Sequence, residues 1–167
     1  MTDRCYILDA CAIIALHKEI YRPSVFPDIL PRIEESIRNG LIWIPPQVVT
    51  EMSRKDDTLL EWTEQHAGAH PRNGDFNAES QKVEDEVGAL SPRHAKLAKK
   101  QKSADLHLMG WAKVLRNVKE LEAVVITQEG TNAQTKIPGA CEQEKIPWNN
   151  LAGMFAELGW QFLNKAP

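Results

Sequence analysis

Three short runs, Tyr6–Leu8 ("YIL"), Leu41–Ile44 ("LIWI") and Ala123–Ile126 ("AVVI"), carry no charged residue, and helically patterned segments lie between them. A strand buried on both faces reads as a continuous apolar run, whereas a strand with one wet face alternates. Short apolar strands alternating with helices specify a parallel sheet covered by helices on both sides. That pattern predicts an α/β fold.

The intervening segments carry helix signals. Ala10–Lys18 follows the first strand, and Pro31–Asn39 forms a helix that Gly40 stops. Pro46 suits the first helical position of "PQVVTEMSRK", where its missing N–H costs nothing. Asp57–Gln65 continues helically, "HAGAHPRNGD" reads as a loop, Ala78–Leu90 as a polar helix and Ser91–Lys102 as a strongly basic one. Ser103 then caps a helix in which Ala104, Leu108, Trp111, Leu115 and Val118 make one apolar stripe. "KIPW" reads as a last short strand and Leu151–Phe162 as a closing amphipathic helix.

The chain's 167 residues suit one domain, 1–167, with no internal repeat or low-complexity tract. A net charge of −3 gives no overall pull toward nucleic acid or an anionic membrane, so a polyanion would have to meet a local basic patch. No apolar run approaches the roughly 20 residues of a spanning helix. The opening residues are not expected to act as a signal peptide, because only three apolar residues separate Cys5 from Asp9, which breaks the region. Cys5, Cys11 and Cys141, odd in number and without metal-type spacing, suit reduced, buried thiols in a cytoplasm.

In parallel α/β sheets the ligand site lies beyond the carboxyl ends of the strands. Asp9 ends the first strand, and Thr127, Gln128 and Glu129 follow "AVVI" at the same edge. Glu51 lies three positions after Val48, near the inward face of its helix, and Asp105 is in the first turn of the striped helix. These acids, far apart in sequence, are expected to converge. A carboxylate cluster without matched lysines or arginines repels itself, and a divalent cation resolves the repulsion. Oxygen ligands without nearby Cys or His partners favour Mg²⁺ or Mn²⁺ over Zn²⁺. Each acid also has a plainer role open to it: Asp9 as a helix N-cap, Asp105 as a complement to the helix dipole, Glu51 and Glu129 as solvated side chains.

Other chemistries lack their motifs. There is no GxxxxGK[ST] and no GxGxxG. "LDACA" lacks the second Asp of a haloacid-dehalogenase-like phosphatase. "LIWIPP" lacks the phosphoacceptor Asp of a response-regulator receiver. His66 and His70, four residues apart, sit in a loop with no third ligand nearby.

Taken in order, "YILDACAII", "IPPQVVTEM", "SADLHLMGWAKV" and "AVVITQEG" resemble the PIN-domain family of metal-dependent ribonucleases. The likeness covers nearly the whole chain. The tail "KIPGACEQEKIPWNNLAGMFAELG" resembles the end of a bacterial and archaeal branch of small PIN proteins close to the VapC-type toxins. The resemblance implies a PIN-like three-layer domain, with a central, mainly parallel sheet flanked by helices. It implies a Mg²⁺ or Mn²⁺ site of Asp9, Glu51 and Asp105, with a fourth ligand after the third apolar strand. Many members have an Asp there; here Glu129 is the first candidate and Thr127 the second. It further implies hydrolysis of single-stranded RNA to 5′-phosphate and 3′-hydroxyl ends, in the manner of a toxin silenced by a cognate antitoxin, in a cytoplasmic protein that forms a homodimer. Arg93, Lys96, Lys99, Lys100 and Lys102 would contact RNA phosphates, unless they are simply a solvated face. Two alternatives stand beside this reading: a PIN-like RNA-binding or scaffold module without turnover, and a metal-dependent nuclease or phosphatase acting on another phosphoester.

Overall fold

A computed structural model describes residues 3–68, 76–100, 104–129 and 136–162. Its centre is a four-stranded, wholly parallel sheet in the order β2-β1-β3-β4, formed by β1 (Asp3–Leu8), β2 (Ile42–Trp43), β3 (Leu121–Ile126) and β4 (Trp148–Asn149). β1 and β3 pair along their full length, from Asp3 opposite Leu121 to Leu8 opposite Ile126. The last four residues of each are buried. That is why the two runs contain no polar alternation.

Helices flank the sheet. α1 (Ala10–His17) and α2 (Ile29–Arg38) carry the chain from β1 to β2, and Gly40, at φ 74°, terminates α2 as expected. α3 (Pro46–Lys55), a 3₁₀ turn over Asp57–Leu59, α4 (Leu60–His66), α5 (Phe76–Arg93), α6 (Ala95–Ala98) and α7 (Asp105–Lys119) lead from β2 across to β3. α8 (Ile137–Gln143) joins β3 to β4, and α9 (Leu151–Glu157) follows. The right-handedness of parallel crossovers puts the β1–β2 connection and the two later ones on opposite faces.

One continuous apolar cluster lies between these layers and includes Ile7, Leu8, Ile13, Trp43, Trp111, Val125 and Ile126. Trp43 of β2 and Trp111 of α7 meet edge to face, with centroids 4.7 Å apart, an arrangement worth about 0.5–1.5 kcal/mol beyond the area it buries. α5 crosses α7 at Gly110, where an added Cβ would stand 3.3 Å from both the side chain and the carbonyl of Val83.

Several boundaries differ from the sequence expectation. Within the span of the expected basic helix Ser91–Lys102, α5 continues through Pro92 to Arg93 and, among the described residues, only the single turn α6 follows. The expected cap Ser103 lies outside the described residues, and Ala104 precedes α7. In the stripe of α7, Val118 is exposed while the other four are buried. α8 was not anticipated in "KIPGACEQEK", and the closing helix stops at Glu157.

Candidate metal and phosphoester site

The strand order creates the site. The chain leaves β1 toward β2 on one side and returns to β3 on the other, so the β1 and β3 connections diverge at their carboxyl ends. In open parallel sheets the crevice at such a switch point is where ligands bind. Asp9 and Thr127 are the first residues beyond those two strands. The Asp9 amide donates to the Ile126 carbonyl at 3.1 Å, and the Thr127 amide donates to Asn149 at 3.0 Å.

Asp9 is 3% exposed. Its Oδ1 accepts the Ala12 amide at 2.6 Å, so it does cap α1. The Thr127 hydroxyl also donates to its carboxylate. These contacts do not make up for burial. Burial first, and then the negative charges of Asp105 and Glu129, push the Asp9 carboxyl up to about 7 against the pull of Thr127 and Ala12.

Asp105 opens α7 and is 4% exposed, with Oδ2 3.3 Å from Lys100 Nζ. Glu129 is held by its backbone and its side chain together. Its amide donates to Thr127 Oγ1 at 3.1 Å, and its Oε2 accepts the Ile137 amide at the start of α8, also at 3.1 Å. Glu129 Oε1 stands 4.0 Å from the same Lys100 Nζ. Glu51, 6% exposed on α3, accepts the Ala104 amide at 3.0 Å and pairs with Lys55 one turn on at 2.8 Å. Burial disfavours the Lys55 ammonium, but its bond to Glu51 outweighs that and holds it above the ordinary lysine range. Lys55 Nζ also lies 3.4 Å from Cys11 Sγ. The thiols of Cys11 and Cys141 are both pushed up, chiefly by burial, and both feel the charge of Asp9.

The expectation of unmatched carboxylates is therefore corrected. Among the described residues, Lys55 pairs with Glu51, and Lys100 stands beside Asp105 and Glu129. Lys55 was legible as an i,i+4 partner of Glu51 on one helix face. The placement of Lys100 depends on how α6 leads toward α7, which no local pattern encodes.

Of the expected RNA-contacting residues, Lys96 and Lys99 are exposed on and just after α6. Arg93 is engaged by Glu144, 2.8 Å away, which Arg93, His94 and Lys113 hold down at about 2 against the cost of burial. Lys100 faces the carboxylates, and Lys102 lies outside the described residues. So does His70; His66 contacts the Trp62 carbonyl at 2.7 Å.

Among the described residues, no group of three or more His, Cys, Asp or Glu side chains is arranged to hold a metal ion. The chemistry of the donor set nevertheless suits a hard divalent ion. Asp9, Asp105, Glu129 and Thr127 offer oxygen alone, and an ammonium already occupies cationic space beside Asp105 and Glu129. No helix among the described residues is long and apolar enough to cross a membrane. No curated protein and no solved structure matches the chain. One family model matches residues 6–162, and the chain belongs to that family, described as a domain of unknown function, DUF4411.

Proposed function

We propose that this protein is a metal-dependent endoribonuclease that cleaves single-stranded RNA to 5′-phosphate and 3′-hydroxyl ends. The observation that carries the reading is Asp9: a carboxylate buried at the switch point of a parallel sheet, in the negative field of Asp105 and Glu129. Isolated buried charges cost several kcal/mol; the upward push on the Asp9 carboxyl expresses that cost, and a bound divalent cation would offset it. The choice of RNA as substrate, and of a cytoplasmic toxin with a cognate antitoxin as its setting, rests on the PIN-like motifs in "YILDACAII", "IPPQVVTEM", "SADLHLMGWAKV" and "AVVITQEG".

Asp9, Asp105 and Glu129 would hold the ion, with Thr127 steering the Asp9 carboxylate through its hydroxyl. When bound, Mg²⁺ or Mn²⁺ lowers the pKa of a coordinated water and stabilises charge on a phosphate. Glu51 works from behind: by taking the Ala104 amide it fixes the start of α7 and with it the position of Asp105. Lys96 and Lys99 present exposed charge to the RNA backbone.

A second reading, an RNA-binding or scaffold module without turnover, draws on the two lysines that already neutralise part of the acid cluster. Product chemistry tests the ribonuclease reading. Cleavage of a labelled single-stranded RNA should leave 5′-phosphates and 3′-hydroxyls. Products ending in 2′,3′-cyclic phosphate would mean attack by the RNA's own 2′-hydroxyl, and the water-based reading would fail.

A further inference from the structure

We infer that the cavity where α5 meets α6 binds a terminal phosphate, the chemistry shared by the 5′ end of a phosphorylated RNA and by free orthophosphate. The cavity holds about 300 Å³ and is lined by Arg93, His94, Lys96 and Leu97, with Gln143 at the end of α8. Its lining includes none of the four acids Asp9, Glu51, Asp105 and Glu129, so the inference does not depend on those acids holding a metal.

Glu144 fixes two of the lining side chains. Arg93 Nε and Nη2 donate to its two carboxylate oxygens at 2.8 and 3.1 Å, and His94 Nε2 stands 2.8 Å from Oε1. Lys113 also reaches Glu144, at 3.1 Å, and lies 3.6 Å from Glu86. An arginine carries five N–H donors, and this side-on pairing uses two of them. The end-on edge of Arg93, with one hydrogen from each terminal nitrogen, is left for a second anion on a guanidinium that is half exposed. Lys96, exposed on α6, adds an ammonium to the same lining. His94 selects among anions. It is 6% exposed, yet among the described residues only its Nε2 has a hydrogen-bond partner. Glu144 is held ionised and can only accept, so Nε2 carries a hydrogen and Nδ1 is the open ring position. A neutral ring accepts there from a protonated oxygen, and a charged ring donates there to a bare one. A terminal phosphate loses its second proton at about pH 6, so near neutrality it offers both forms and can share one proton with Nδ1. A backbone diester has no such proton and gives a single charge to the cationic donors.

Two binding measurements on the full chain in EDTA, which keeps divalent ions out of the carboxylate site, test the pocket. The first compares one single-stranded RNA with a 5′-phosphate and with a 5′-hydroxyl. The second titrates orthophosphate into labelled protein and follows the His94 ring by NMR. The wild type should bind the phosphorylated RNA roughly tenfold more tightly, the worth of one charge-assisted contact, and orthophosphate should move the His94 resonances. Arg93→Gln should lose both effects while changing the affinity for the 5′-hydroxyl RNA less. His94→Phe should lose the preference between the RNAs, and thermal melts check that both variants are folded. A phosphate response at His94 without a preference between the RNAs would assign the pocket to the free ion; a preference far exceeding the affinity for orthophosphate would assign it to the RNA end. Equal binding of the two RNAs with no response at His94, or effects that persist in Arg93→Gln, would overturn the site. Should the wild type bind neither RNA, the ribonuclease reading fails on its own, and the response of His94 to orthophosphate still decides the pocket.

Discussion

Asp9 and Thr127 leave neighbouring parallel strands side by side, and the Thr127 hydroxyl donates to the Asp9 carboxylate while accepting the Glu129 amide at 3.1 Å. One buried hydroxyl therefore links the first acid of the site to the loop that carries the last. Replacing Thr127 with Val leaves the Glu129 amide without its acceptor and deprives Asp9 of a donor. We expect a loss of about 1–3 kcal/mol in stability, the usual cost of an orphaned buried polar group. Thr127→Ser should recover most of it in a denaturant titration. Equal stability of Thr127→Val and wild type would remove the link.

Asp9 gives a pH signature. Its carboxyl titrates at about 7 in the fold, against an ordinary 3.8, chiefly because it is buried. Between those values the folded chain holds a proton that the unfolded chain has lost, so this group's contribution falls as pH rises and is fully lost above about 7. Asp9→Asn removes that penalty and keeps an Oδ1 to accept the Ala12 amide. In EDTA the mutant should melt near wild type at pH 4 and progressively above it toward pH 8, with no ribonuclease activity and a reduced Mn²⁺-induced shift. A gap that does not change with pH would contradict the origin assigned to the shifted carboxyl.

Glu51 does structural work that a surface acid would not. Glu51→Ala strands the buried Ala104 amide, removes the ion pair of the partly exposed Lys55, and should cost about 1–3 kcal/mol. Glu51→Gln, which still offers an acceptor to the amide, should cost less. If the two substitutions are equally mild in urea melts, Glu51 does not anchor α7.

The sheet, its parallel sense and the placement of Asp9 and Thr127 at its carboxyl edge were legible because they rest on short-range signals: apolar runs, Pro46 and Gly40. The burial of Glu51 followed from its spacing to Val48. The counter-charges did not follow as easily. Lys100 looks like one more residue of a basic stretch, and only the path from α5 through α6 turns it toward Asp105. The same path shortened the expected basic helix, since the α5 pattern runs on through Pro92. Local propensity says little about where a one-turn helix such as α6 points its neighbours.

Lys96 and Lys99 should carry the salt dependence of RNA binding, since both are exposed on one short segment. Changing both to Gln should lower affinity and flatten the slope of log K against log salt by about 0.7 per lost phosphate contact on single strands. Arg93→Gln should change it less, because Glu144 already engages that guanidinium. A slope unaffected by the double change would return α6 to solvent.

The central claim is that Asp9, Asp105 and Glu129 act on RNA through a divalent ion. Its most direct test is cleavage of a 5′-labelled single-stranded RNA by wild type and Asp105→Asn, each in Mn²⁺ and in EDTA. Cleavage by the wild type in Mn²⁺ alone, and by the mutant in neither, is the expected result. Undiminished cleavage in EDTA, or full activity of Asp105→Asn in Mn²⁺, would contradict it.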